Sequence, residues 1–231
     1  MPAHENVTVV VIHGAWADGS SWEPTIRLLL NEGFNVVAAP IPLTSLSDDA
    51  AALRRTIART QGPLIVAGHA YAGAVAGTAD DERVKALVFV AALAPDQGET
   101  VAEVFYREAS HPKAPKLTPD ADGFIWMPDE SFADAFAQNA TAEQIALCRA
   151  VQRPISVRCI QEPATATAWK TKPAWYLVAE EDRMINPRTQ RFMAERMKAS
   201  IRSFAVDHTP MLTAPAKVAE VIREAAQSTL D

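Results

Sequence analysis

A serine, a histidine and a carboxylate placed together make a nucleophilic relay, and this chain carries two of the three. His208 follows the strand read at 201–206, and Asp182 follows another, the apolar run Ala174–Ala179. Upstream, Leu64-Ile-Val-Ala-Gly-His-Ala-Tyr-Ala-Gly73 takes a short apolar strand into a turn of small residues. A sharp strand-to-helix turn of the pattern G-x-S-x-G pushes its central side chain to the tip, where a serine can attack a carbonyl carbon. Here the tip is Ala70, and Ala72 stands at the last glycine position with Gly73 beside it. The chemistry left is proton transfer, with His208 as base and Asp182 orienting it. His13-Gly14-Ala15-Trp16 closes the first apolar run, and glycine there lets a backbone N–H approach a developing oxyanion. The expected oxyanion donors are therefore the N–H groups of Ala15 and Tyr71.

Rival chemistries fit less well. Gly68-x-Ala70-x-x-Gly73 loosely matches a dinucleotide fingerprint, but that fingerprint opens the first strand and needs a later acid for the ribose. This one follows the third strand, and 88–93 holds no acid. The five histidines show no H-x-x-x-H or H-x-H spacing, so neither a metal nor a cofactor is expected. Cys148 sits among Ile145, Leu147 and Val151 and reads as core rather than as a substitute nucleophile.

These groups need a scaffold that brings distant segments together. Apolar runs at 7–12, 34–39, 64–67 and 84–93 read as buried strands, with helices at 22–31, 47–60 and 72–79 between them. That alternation predicts a parallel α/β sheet with right-handed crossovers. It breaks over 95–172, which is rich in Pro and aromatics, shows two short helices near 100–108 and 142–151 and no strong strand, and places Cys159 in an irregular stretch. It resumes with a strand at Ala174–Ala179, a helix to about 198 capped by Asn186, a last strand at 201–206 and a helix at 215–228. The organisation expected is a core of 1–94 and 173–231 carrying a small helical cap at 95–172. Aromatics of the loops and cap, Trp16, Phe105, Trp126 and Phe132, are candidate substrate contacts, as is His69 beside the turn.

With 231 residues and a net charge of −6, the chain suits one domain with an insertion and is a poor general nucleic-acid binder. No apolar run reaches the ~18–20 residues of a membrane span. The N-terminus lacks a basic stretch before an apolar core, so a cytoplasmic protein is expected. The expected partner is a small-molecule substrate, and the oligomeric state, a homodimer included, is left open.

The chain resembles the small α/β-hydrolase-fold proteins that include plant methylesterases, hydroxynitrile lyases and bacterial esterase-like hydrolases. The matching stretches are Val-Ile-His-Gly-Ala-Trp (11–16), Gly-Ser-Ser-Trp (19–22), Gly-His-Ala-Tyr-Ala-Gly (68–73), Val-Lys-Ala-Leu-Val-Phe-Val-Ala-Ala (84–92), Glu-Asp-Arg-Met-Ile (181–185) and Asp-His-Thr-Pro-Met-Leu (207–212). The resemblance implies an α/β-hydrolase fold, a mainly parallel sheet with helices on both faces. It also implies a triad of the residue at position 70, Asp182 and His208. The family's turn reads Gly-His-Ser-Tyr-Gly-Gly, so Ala70 and Ala72 both depart from it. Three readings follow: an ester hydrolase for small apolar substrates whose serine has been exchanged for Ala70; a His208/Asp182 proton-transfer enzyme with no covalent step, as in lyases or cofactor-free oxygenases; or a non-catalytic binder of small molecules.

Overall fold

Successive residues of the central strands enter opposite cores. In a computed structural model that describes residues 6–230, Val9, Val11, Ile65, Val88 and Leu177 face one core, and Val10, Ile12, Val66, Phe89 and Tyr176 face the other. Strand side chains alternate between faces, so a run apolar on both must be covered on both. The strands are β1 (Thr8–Ile12), β2 (Asn35–Ala39), β3 (Leu64–His69), β4 (Val84–Val90), the two-residue β5 (Phe124–Ile125) and β6 (Ile155–Ser156), β7 (Ala174–Ala179) and β8 (Ser200–Phe204). Six of them form one sheet in the order β2-β1-β3-β4-β7-β8, with every pairing parallel.

The helices are α1 (Glu23–Asn31), α2 (Leu46–Ala58), α3 (Ala72–Ala76), α4 (Val101–Phe105), α5 (Asp129–Ser131), α6 (Ala142–Ala150), α7 (Val157–Gln161), α8 (Pro187–Arg196), α9 (Pro210–Thr213) and α10 (Pro215–Leu230). The first and last of these pack on one face of the sheet, and α2, α3 and α8 on the other. Local chemistry sets their ends. Ser45 accepts from Asp48 N–H to start α2, and Asn186 accepts from Arg188 N–H with Pro187 at the first helical position of α8. Thr100 with Glu103, and Thr141 with Gln144, form capping boxes on α4 and α6.

The strand expected to be buried at 34–39 is not. β2 and β8 form the two edges of the sheet and are largely exposed, because only one flank of each is paired. The segment between β4 and β7 also departs from expectation. β5 and β6 pair antiparallel, a π-helical turn (Phe132–Phe136) continues α5, and Cys159 lies buried in helix α7 rather than in irregular chain. Residues 1–5, the stretch read for a targeting signal, lie outside the described residues. Among the described residues no helix is long and apolar enough to cross a membrane.

The strand order places the site. From β1 the chain passes to β2 on one side and then returns to β3 on the other, so the loops leaving β1 and β3 diverge. In open α/β sheets the crevice at such a switch point, at the carboxyl ends of the strands, is where ligands bind.

Candidate active site

The turn after β3 is tight because two glycines allow it. A Cβ on Gly68 would lie 2.5 Å from the Ala72 carbonyl oxygen, and one on Gly73 would lie 2.5 Å from that of Leu93. Gly68 thus meets the start of the following helix and Gly73 the chain just after β4, and the Ala72 methyl is accommodated in the buried turn. Ala70 sits at the tip with φ +50°, a left-handed conformation that costs a non-glycine residue roughly 1–2 kcal/mol. Its carbonyl accepts the N–H of Leu93 at 2.9 Å and of Gly73 at 3.1 Å, which holds that conformation. On the facing loop Trp16 is also left-handed, with φ +59°, and its N–H donates to the Arg153 carbonyl at 3.0 Å. The neighbouring N–H groups of Ala15 and Tyr71 are taken by no backbone carbonyl among the described residues. Both residues line the same pocket as Ala70.

Opposite the tip, His208 Nδ1 lies 2.8 Å from Asp182 Oδ2, with both side chains buried. The carboxylate is fully occupied: Oδ1 accepts from Met184 N–H at 2.7 Å and Ile185 N–H at 2.8 Å, and Oδ2 also accepts from Gln190 Nε2 at 2.8 Å. Gln190 is itself fixed by the Ala179 N–H, which donates to its Oε1 at 2.9 Å. Such a carboxylate is held as an acceptor, so Nδ1 carries the proton and Nε2 is left as the base toward the pocket. The Phe136 ring packs on the His208 ring at 5.5 Å and on Trp16 at 6.4 Å.

The pocket is narrow, with a cavity volume of about 60 Å³. Its wall includes Trp16, Leu93, Val101, Phe105, Ile155 and Met184, and among the described residues no Asp, Glu, Lys or Arg lines it. A charged ligand would lose its hydration there without a counter-charge.

Two of the five expected substrate contacts, Trp16 and Phe105, are in the wall. The other three are elsewhere. His69 is fully buried beneath the turn, its Nε2 donating to the His208 carbonyl at 2.7 Å, and burial holds its pKa well below the usual histidine value. It is a neutral strut. Phe132 is fully buried and packs on Phe136 at 5.4 Å, in the interior of its own segment. Trp126 is half exposed, its Nε1 donating to Asp120 at 3.2 Å, outside the pocket. Cys148 lines a separate cleft, and burial pushes its thiol pKa up. Sequence reasoning missed Gln190, Phe136 and Asp207. The last is buried, accepting from Asn139 N–H at 3.0 Å, Thr209 N–H at 3.2 Å and the Thr213 hydroxyl at 2.5 Å, and so fixes the loop that carries His208. Only adjacence to His208 could have flagged Asp207; no local pattern marks the others.

A six-stranded parallel sheet with a strained strand-to-helix tip, and a His–Asp pair brought to it by later loops, is the architecture of α/β hydrolases. A sequence model of the alpha/beta hydrolase family matches residues 9–221, and the chain belongs to that family. A protein of Phoma sp. named as a probable hydrolase is 22% identical over 242 residues, covering 94% of this chain and 97% of that protein. The crystal structure of polyneuridine aldehyde esterase is similar with a TM-score of 0.82 at 18% identity, covering 95% of this chain and 98% of that one. A variant of tomato methylketone synthase I complexed with beta-ketoheptanoate reaches 0.83 at 17% identity, covering 97% and 99%.

Proposed function

We propose that the chain acts on small, neutral, largely apolar ester-like substrates by general-base chemistry, without an acyl-enzyme intermediate. One observation carries this reading: base, orienting carboxylate and two free N–H donors surround a tip whose side chain is a methyl group. In this scheme a water molecule bound beside Ala70 is the nucleophile. His208 Nε2 takes its proton as oxygen bonds to the ester carbon, and the carbonyl oxygen gains charge facing the Ala15 and Tyr71 N–H groups. The imidazolium, stabilised by Asp182, then returns the proton to the departing alkoxide. Binding and oxyanion donors without a nucleophile still give ~10³–10⁴-fold acceleration over water. In this reading residues 95–172 are the cap that closes the pocket over a core of 1–94 and 173–231, and the partner is the small molecule alone.

A second reading, a lyase, is favoured by the absence of charge in the pocket wall and by the beta-ketoheptanoate in the methylketone synthase complex. In a 3-oxo acid the bond to the carboxylate breaks and CO₂ leaves. The electron pair collects on the ketone oxygen at the same N–H groups, and His208, which has taken the acid's own proton at Nε2, delivers it to carbon. An apolar wall destabilises the starting carboxylate and favours this loss of charge.

The deciding experiment assays the purified protein and its His208→Ala variant on aryl acetates and on beta-ketoheptanoate. Ester hydrolysis lost in the variant supports the first reading, and CO₂ release lost in the variant supports the second. Saturable binding of both with no turnover overturns both and leaves a binder.

A further inference from the structure

A second buried polar cluster adjoins the site and takes no part in the chemistry above. Asp49, in the first turn of α2, is fully buried. Its Oδ1 accepts the Leu43 N–H at 2.7 Å, and its Oδ2 accepts the Tyr71 hydroxyl at 2.6 Å, with the Cys159 thiol donating at 3.7 Å. The three donors come from three places: the loop after β2, the turn after β3, and helix α7. Burying a carboxylate is costly even when it is hydrogen-bonded, and apolar residues of similar volume would usually pack as well or better. The cluster therefore calls for a role beyond packing.

Both ends of the cluster reach the pocket. Leu43 is left-handed, with φ +61°, and its carbonyl accepts the N–H of Ser156 at 3.0 Å. Ser156 neighbours Ile155, and Cys159 neighbours Ile160; both isoleucines are in the pocket wall. The contact is reinforced where Ser47 N–H donates to Glu162 at 3.0 Å, joining the start of α2 to the end of α7. Tyr71, at the other end, follows Ala70 and carries one of the two free N–H groups.

We propose that Asp49 is a positioning residue of the pocket: its carboxylate fixes the Tyr71 side chain, and with it the N–H beside Ala70, while seating the Ile155–Ile160 wall through Leu43 and Cys159. This rests on the reading of the Tyr71 N–H as an oxyanion donor. The titratable groups facing Asp49 are Tyr71, Cys159 and, on its own helix, Asp48. Burial pushes Tyr71 well up and Cys159 up to about 12, so both are neutral donors when Asp49 is ionised.

The test compares Asp49→Asn, Tyr71→Phe and the double variant, all built on Ala70→Ser so that aryl-acetate hydrolysis reports on the oxyanion site. In parallel, the Tyr71 backbone amide resonance is followed by ¹H–¹⁵N correlation spectra. Each single variant is expected to move that resonance and to lower kcat by about tenfold or more, with KM within about twofold. A displacement of about 1 Å in a reacting geometry can cost ~10²-fold. The double variant should lose no more than the worse single, since both cut the same link. Losses that multiply in the double variant, or a Tyr71 amide unmoved in both folded single variants, would overturn the proposal. Should Ala70→Ser prove inactive, the oxyanion reading fails, while the amide resonance still decides whether Asp49 positions Tyr71. Tyr71→Phe keeps the carboxylate and carries the test alone if Asp49→Asn does not fold.

Discussion

At the scale of the residue, the tip of the turn after β3 carries the methyl group of Ala70, where the proposed relay has no hydroxyl of its own. Ala70→Ser is expected to raise aryl-acetate hydrolysis by more than ~10²-fold over the parent, the low end for a positioned general base. Steady-state rates with a pre-steady-state burst would check it. Adding His208→Ala should abolish the gain, because an unassisted serine hydroxyl is a weak nucleophile at neutral pH. An Ala70→Ser protein that folds normally yet gains nothing on a panel of esters would mean that the N–H groups or the imidazole are aimed elsewhere. Asp182 and the Ala70 turn could be singled out in the sequence because each sits where an apolar run ends, and His208 because it follows the last strand of the alternation. Gln190 and Phe136 could not. They act through contacts with residues 8 and 72 positions away in the chain, Asp182 and His208, and a glutamine or phenylalanine in a helical stretch looks like any other. The aromatics illustrate the same limit. Phe105 and Phe132 are identical as residue types, and only the packing of their segment sends one to the pocket and the other to the interior.

The elements show a complementary division. Strands β1, β3, β4 and β7 were legible because continuous apolarity is what a strand covered on both faces requires. Asn35-Val-Val-Ala-Ala39 has nearly the same composition, and nothing local says that it lies at an edge; that follows from the order of the whole sheet. The β5–β6 pair, two residues a side, is too short to leave a periodicity. The element that the site depends on most is the β3–α3 turn. Gly68→Ala or Gly73→Ala forces a methyl group to within 2.5 Å of backbone oxygen, where no flexible side chain can yield. Either substitution is expected to destabilise by about 1–3 kcal/mol or more, read from the midpoint of urea unfolding. In the Ala70→Ser background either should also lose most of the esterase activity, since the tip and the Tyr71 N–H move together. An unchanged midpoint in both variants would show that the turn is looser than its contacts indicate.

For the molecule as a whole, buried ionisable groups tie stability to pH in opposing windows. Burial raises the Asp49 pKa from 3.8 to about 6, so the folded state holds its proton more tightly than the unfolded chain does. That contribution is fully present below about pH 4 and is lost as pH rises through about 6, a change of about 3 kcal/mol. His13 and His69 act in the other sense. Burial lowers both pKa values, so the stability they contribute at neutral pH is lost as pH falls below about 6.5. The parent curve is a sum of both, but the difference between parent and Asp49→Asn isolates the first. Unfolding free energies at pH 4 and pH 7 should show the variant gaining about 2 kcal/mol relative to the parent over that range. A difference that stays flat with pH would mean that Asp49 titrates near its ordinary value.

The fastening of the segment over the pocket is lopsided. One stretch is tied to the sheet side three times: Asn139 to Asp207, Gln138 to the Glu181 carbonyl at 2.8 Å, and the Asp134 carbonyl to Arg183 at 2.8 Å. Residues 106–122 are mostly exposed and held by little regular hydrogen bonding; Asn186 reaches the Ala109 carbonyl at 3.0 Å, and Arg107 stacks on Phe192 at 3.6 Å. Local opening is cheapest where buried contacts are fewest. Amide protons of 106–122 should therefore exchange with solvent deuterium well before those of 132–139. Entry and exit of small molecules would then pass beside Phe105 and Tyr106, with the His208 side of the pocket staying shut, so that residence time is set by that one flank.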